Sequence, residues 1–414
     1  MTSKNKSFIY HLIGFCLGIF LFGPSAEPIY FENFSALISI YTLWKRAAEI
    51  LSFYLLIYIV LRNKKGLKLN HLVLPFSIII YYVYFIVLTV LTGGYYRQIV
   101  SHFIGCFYVC ACFYLALTWN DDSLLSGGLF IYASELYLNF ILMIIKPEGF
   151  YYPTFGAYAP LLGYKNVILR NFFPGLVFAL ALDFIQKKKI SFRSWLYLIV
   201  LFITSILADS TTSIVATAIL IISILIFGNM KHISKLANLR IFFIASLIVL
   251  FMIIILQVST PMMIYLTGIF NKDVTFTGRV YLWNQAINYI TKKPIFGYGF
   301  EGYTVLNQKF YIGIDFSYES CHNFYLDMVY RSGLIGMFIM ALIILQADYK
   351  MNNPFIDKNV RLYFILLSLI YFVSWNFEPF VDESLHNVFG FFLFLYYLWE
   401  ENSLIYRKYN DHFA

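Results

Sequence analysis

Apolar stretches follow one another along almost the whole chain, separated by short polar breaks. They run over approximately residues 8–22, 47–61, 72–92, 99–118, 124–145, 168–185, 194–208, 211–228, 240–258, 323–347, 360–377 and 385–400. A bilayer core about 30 Å thick needs roughly 20 helical residues to cross, so the pattern predicts about twelve membrane helices. The runs 194–208 and 211–228 are short and meet at the polar patch Asp209-Ser210-Thr211-Thr212-Ser213, which predicts a broken or re-entrant pair. No fixed-period repeat or low-complexity linker divides the chain, so residues 1–414 are predicted to form one all-α integral membrane domain. One break differs from the others. Residues 259–322, between the ninth and tenth spans, form a connection far longer than the ~15 residues beyond which loops are usually functional or disordered. Their aromatic content argues for a structured external loop.

Composition adds exclusions. With 60% hydrophobic and only 13% charged residues, the chain cannot cover a water-facing surface, which takes about a quarter charged residues. The formal charge of +8 comes from short clusters between apolar runs, which argues against nucleic acid and for a membrane-lipid environment. Alternate loops hold Arg62, Lys64, Lys65 and Lys68, then Lys187, Lys188, Lys189 and Arg193, then Lys231, Lys235 and Arg240. The positive-inside rule places these loops and both termini in the cytoplasm, and the 259–322 loop outside. Residues 8–22, after Lys4 and Lys6, lack a small-residue cleavage site and are read as the first span. Cys16, Cys106, Cys110 and Cys112 lie in apolar runs and are read as packing residues.

Candidate chemistry concentrates outside. From Arg279 onward, Leu282, Trp283, Ala286, Ile287 and Ile290 recur at helical spacing, which predicts an amphipathic surface helix ended by Lys292, Lys293 and Pro294. Arg279 falls in its first turn, where a cation opposes the helix dipole. A bound anion would remove that penalty, and free N–H groups beside a guanidinium make a phosphate clamp; a headgroup-anchoring arginine is the equal alternative. Pro294-Ile295-Phe296-Gly297-Tyr298-Gly299-Phe300-Glu301-Gly302 formally matches GxGxxG. It lacks the flanking strand of a nucleotide site, so its glycines are read as tight turns or close backbone approaches to a ligand.

His322 opens the tenth span after Ser320, which is read as the helix cap. Its imidazole can take a proton from an attacking hydroxyl near neutral pH, the alternative being a purely structural histidine. Asp327 and Arg331 share a helix face and are read as an intramembrane ion pair, with Gly333 and Gly336 permitting close packing. Glu135 with Asn139 is read as bundle glue. Lys165 and Arg170 place external positive charge against the topology rule, as a second anion contact or as interfacial anchors. Glu378, Asp382 and Glu383 crowd the last outer loop near His386, as sugar-hydroxyl ligands, an alternative base or a solvated acidic loop. No His, Asp, Glu or Cys spacing suits a metal, and no cofactor is expected.

Together, Arg279 and Trp283, then Pro294-Ile295-Phe296-Gly297-Tyr298-Gly299, then His322-Asn323 with Leu326, then Gly333-Leu334-Ile335-Gly336 resemble the signature of the O-antigen ligase/polymerase family. Two features depart from its pattern: Arg331-Ser332 replaces an acidic residue before the last motif, and Asp209-Ser210-Thr211-Thr212 stands where many members have Ser-Arg. The resemblance implies a GT-C-like glycosyltransferase at the outer face of a bacterial plasma membrane. Its donor and acceptor would be oligosaccharides linked to undecaprenyl diphosphate, joined by metal-independent, inverting transfer into an O-antigen, capsule or exopolysaccharide. A chain-length regulator and a flippase are the implied partners. A ligase that transfers finished glycan, and a transporter of lipid-linked sugars, are the alternatives. Within this resemblance His322 is the base, Arg279 and Arg170 stabilise the leaving diphosphate, and Lys165, Trp283, Asn323, Glu378 and Asp382 contact substrate.

Overall fold

The structure, a computed structural model, describes residues 3–23, 34–62, 69–152, 157–162, 168–229, 237–255, 279–310, 320–353, 356–378, 384–401 and 403–410. Its helices are α1 (Ser3–Phe22), α2 (Ser35–Arg62), α3 (Leu69–Leu91), α4 (Tyr96–Thr118), α5 (Ser123–Ile145), α6 (Ile168–Lys187), α7 (Phe192–Leu207), α8 (Thr211–Asn229) and α9 (Leu239–Leu250). They continue as α10 (Arg279–Lys292), α11 (Tyr303–Lys309), α12 (Phe324–Met351), α13 (Lys358–Ser374), α14 (Ser384–Tyr397) and α15 (Leu404–Asn410). Each predicted apolar run carries a helix. Within the described residues, Leu72–Leu91, Tyr96–Thr118, Ser123–Ile145, Ile168–Lys187, Thr211–Gly228 and Phe324–Met351 are long and apolar enough to cross a membrane. Shorter apolar helices are Ser7–Phe22, Phe192–Leu207, Leu239–Leu250 and Leu385–Tyr397. The hairpin of β1 (Phe150–Tyr152) and β2 (Ala157–Ala159) was not predicted from the sequence pattern. Nor was the early start of α2, because Lys45, Arg46 and Glu49 interrupt the apolar run that marks its second half.

The bundle is built around α6, buried along nearly its whole length, while side chains such as Leu61, Leu91 and Ile145 stay exposed on outer faces. A lipid environment makes such exposure favourable where water would not. Pro174 lies inside α6 and has no N–H to offer the carbonyl of Arg170. Asn387 of α14 supplies the missing donor, its Nδ2 reaching that oxygen at 3.3 Å. The proline thus ties the first turn of α6 to a neighbouring helix.

A second break explains the glycine motifs. α12 leaves helical geometry at Gly333, where φ is 65° and ψ −172°. The Pro294–Gly299 turn fills the gap: Tyr298 N–H donates to the Tyr330 carbonyl at 2.9 Å and Gly299 N–H to that of Arg331 at 2.8 Å. In return Leu334 N–H donates to the Pro294 carbonyl at 2.9 Å and Ile335 N–H to that of Ile295 at 3.3 Å. Backbone meets backbone here, so side chains must be absent. A Cβ on Gly333 would sit 2.1 Å from the Ile295 oxygen, and one on Gly297 2.7 Å from that of Arg331. The close approach expected of Gly297 and Gly299 is therefore to the protein's own helix.

At the far end of α6, charges are paired. Asp183 accepts from Ser191 N–H at 2.7 Å and from the Ser191 and Ser194 hydroxyls at 2.6 Å each, and it pairs with Arg193 at 2.7 Å. Asp348, near the end of α12, pairs with Arg240 at 2.6 Å and accepts from Leu239 N–H at 3.1 Å.

Candidate functional site

The opposite end gathers polar groups from five segments: the starts of α6, α8 and α10, the residue pair before α12, and the chain leaving α13. The last of these is stitched in place first. Phe324 N–H donates to the Trp375 carbonyl at 2.8 Å, and Asn323 Nδ2 to that of Asn376 at 2.8 Å. Asn376 Nδ2 reaches Ser246 Oγ of α9 at 2.9 Å, and the Tyr325 hydroxyl donates to the same oxygen at 2.8 Å. These bonds fix Phe377 and Glu378 against the start of α12.

Arg279, the first residue of α10, then donates from Nη1 to the Phe377 carbonyl. Next to it, burial raises the Glu378 carboxyl above its ordinary value, opposed by the Arg279 charge, a hydrogen bond from Thr212 and the Arg170 charge. Two guanidinium groups thus act on one carboxyl. Arg170 Nε and Glu378 Oε1 are both covered, with no hydrogen-bond partner among the described residues. Buried polar atoms of this kind suit a site built to receive a polar ligand.

His322 stands beside this group but outside α12. Its φ of 47° is left-handed, a conformation shared by only Lys188 and Asp209 among the described non-glycine residues. For a non-glycine residue that geometry costs on the order of 1 kcal/mol or more and tends to mark functional positions. Ser320 does not cap the helix as the spacing suggested; its Oγ accepts from His322 N–H at 3.4 Å. The cap is Asn323, whose Oδ1 accepts from Leu326 N–H at 3.0 Å. Burial, and after it the Arg279 charge, pull the imidazole down to about 4, so His322 is neutral at ordinary pH. Burial pushes the neighbouring Cys321 thiol up, away from the thiolate a nucleophile needs.

Arg279, Arg170, His322 and Glu378 therefore converge. Trp283 and Asn323 are held inside the protein. Trp283 is 2% exposed among Leu282, Ala286, Leu306 and Tyr330, and Asn323 is fully buried with both ends of its amide bonded inside the protein. In this structure Trp283 packs within an apolar cluster and Asn323 caps α12. Lys165, Asp382 and Glu383 lie outside the described residues. Asp327 and Arg331 form the expected buried ion pair at 3.2 Å, with the guanidinium 4.9 Å from the Phe300 ring centre. Thr212 was missed as a site residue, although the polar patch between two apolar runs was its signal.

The fold and site describe a polytopic helical membrane protein in which two arginines, a buried carboxyl and a neutral imidazole meet at one end of the bundle. Residues 196–341 match the family model described as O-Antigen ligase, in agreement with the resemblance carried by the motifs. That segment holds Thr212, Arg279 and His322. The chain is also 34% identical over 90 residues to the exopolysaccharide production protein ExoQ of Rhizobium meliloti (strain 1021), covering 20% of each chain. It is 28% identical over 131 residues to an uncharacterized protein of Haemophilus influenzae, covering 29% of this chain and 33% of that one. The chain thus aligns with a fifth to a third of the length of these curated relatives. No solved structure matches it.

Proposed function

We propose that the protein is a glycosyltransferase that joins polyprenyl-diphosphate-linked oligosaccharide repeat units into a surface polysaccharide. The observation that carries this reading is the convergence of Arg279 and Arg170 on Glu378, with neutral His322 beside Arg279. In the reaction, a hydroxyl oxygen of the acceptor sugar attacks the anomeric carbon of the donor glycan. A new C–O bond forms there as the bond to the diphosphate breaks, inverting the centre. The hydroxyl proton passes to His322, and the diphosphate leaves with the bond's electron pair.

The protein's main task is to stabilise the charge growing on the leaving group, and two half-buried guanidinium groups in a low-dielectric setting suit it. Arg279 holds a backbone carbonyl, Arg170 Nε has no hydrogen-bond partner among the described residues, and burial disfavours the ionised form of the Glu378 carboxyl the two share. An anion beside Arg279 would offset the second of the two causes that depress His322, making the imidazole more basic once donor is bound. Glu378 is placed to accept hydrogen bonds from sugar hydroxyls. Lys165 and Asp382 keep the substrate contacts proposed from the sequence, and the active face is the external one.

Purified protein in vesicles, supplied with lipid-linked repeat units, separates the three chemistries. A ladder of lengthening glycans with release of polyprenyl diphosphate is the expected product. Transfer only to a different lipid acceptor would make the protein a ligase. Movement of the intact lipid-linked sugar across the vesicle, with no glycosidic product, would make it a transporter.

A further inference from the structure

A second polar space borders the first turn of α6. It is a cavity of about 360 Å³ enclosed by α1, α2, α4, α5, α6 and α14. Lys45, Arg46 and Glu49 of α2 line it, and His102 of α4 and His386 and Asn387 of α14 face the same space. Lys45, Arg46 and the buried Glu49 fall within two turns of one helix, and ionisable groups clustered around a buried carboxylate mark functional sites more often than packing. At 1.5 Å per residue, Lys45 lies about 25 Å along α2 from Arg62, which places it near the headgroup level of a bilayer core about 30 Å thick. Arg46 pairs with the buried Glu49 carboxylate at 2.7 Å, so Lys45, Arg46 and Glu49 together carry one net positive charge.

Rings line the wall as well, Tyr108, Phe113 and Tyr132 among them. Amide, carboxylate and imidazole edges beside ring faces are the chemistry that holds a sugar: hydroxyls bond in the ring plane while C–H faces stack. The volume falls within the roughly 300–1,000 Å³ of small-molecule sites, room for about two sugar rings. Two contacts make the cavity a built feature. Its His386 ring packs so close to Gly105 that a Cβ there would lie 2.7 Å from the ring, and the His102 and His386 rings are 5.5 Å apart. Asn387 reaches from the cavity wall to the carbonyl of Arg170, whose side chain acts on Glu378. The cavity and the candidate site therefore meet at one residue.

We propose that this cavity is the subsite for the acceptor glycan, holding one or two neutral or singly anionic sugar units beside Arg170; the assignment to acceptor rests on the glycosyltransferase reading above. The probe is the free saccharide released by mild acid from the host's lipid-linked repeat unit. Its binding to the purified full-length protein is read by saturation-transfer NMR, with melting temperatures checked in parallel. Wild type and His322→Ala are expected to bind alike. Glu49→Gln, which keeps shape, and Lys45→Ala should each weaken binding at least tenfold, and Thr42→Trp at the rim should abolish it. Binding unchanged in folded Glu49→Gln and Lys45→Ala proteins, or absent from wild type, overturns the subsite. Binding needs no catalysis, so the two readings fail separately. Glu49-dependent binding without any glycosidic product in vesicles would support a saccharide site while removing the glycosyltransferase assignment. A glycan ladder made equally well by all three cavity variants would do the reverse.

Discussion

Where α6 ends, Asp183 accepts three hydrogen bonds from Ser191 and Ser194 and pairs with Arg193. Where α6 begins, Arg170 Nε has no hydrogen-bond partner among the described residues, and its guanidinium shares Glu378 with Arg279 and Thr212. Both ends of one buried helix thus carry charge, but the partners differ. At the first end the buried carboxylate is matched by Ser191, Ser194 and Arg193, and the arrangement ties α6 to α7. At the second, among the described residues two guanidinium groups act on one carboxyl, and a strained, neutral histidine stands alongside. Burying charge is unfavourable unless it is compensated. The paired end is therefore accounted for by folding alone, and the unpaired end points to a ligand.

The comparison breaks if substitutions at the two ends have similar consequences. Arg279→Ala and Arg170→Ala should lower the turnover of lipid-linked repeat units by roughly 10²–10³-fold, the usual effect of losing a transition-state charge contact. Their melting temperatures in detergent should stay near wild type. Asp183→Ala should do the opposite, costing roughly 3 kcal/mol by stranding Arg193 and two serines, with surviving folded protein still active. Gly333→Ala should damage both properties, because the added carbon meets the Ile295 oxygen and the backbone is left-handed there. Its yield in membranes, compared with that of Gly336→Ala, measures how far the interlock supports the site.

A smaller effect concerns pH. The folded pKa of His322 is lowered to about 4 from an ordinary value near 6.5. The neutral base is therefore present throughout pH 5–8, and activity limited by it should hold to about pH 5 and fall through about 4. For stability the sign is the same: below about 6.5 the unfolded chain binds the proton first, so the folded protein weakens as pH falls toward 4. A rate profile that bends near 6.5 in the free enzyme would mean His322 is more solvated than its burial indicates.

Much of this was legible in the sequence because helices follow apolar length and periodicity. α3 to α8 lie within a few residues of the predicted runs. Arg279 was legible because a cation at a helix start is out of place, and His322 because a polar residue opens a span. Other features depend on contacts between distant segments. Nothing local marks Asn323 rather than Ser320 as the cap, since the Oδ1 bond is decided by where α12 begins. Trp283 read as a ligand platform until its neighbours covered it. The glycines of the two motifs looked independent, yet they are two halves of one backbone seam between Pro294–Gly299 and Gly333. Lys45 and Arg46 were hidden for the opposite reason: their charge made the first part of α2 read as a loop, ahead of the span that holds Glu49.

The central claim is that neutral His322 takes the acceptor proton while the arginine pair receives the diphosphate. Its most direct test is a single-turnover assay with purified wild type and His322→Ala on lipid-linked repeat units, following glycosidic bond formation and diphosphate release together. The account predicts that wild type couples one release to each new linkage, and that His322→Ala, folded and still binding donor, loses about 10²-fold or more in the bond-forming step. A His322→Ala protein that elongates glycan at the wild-type rate would contradict it.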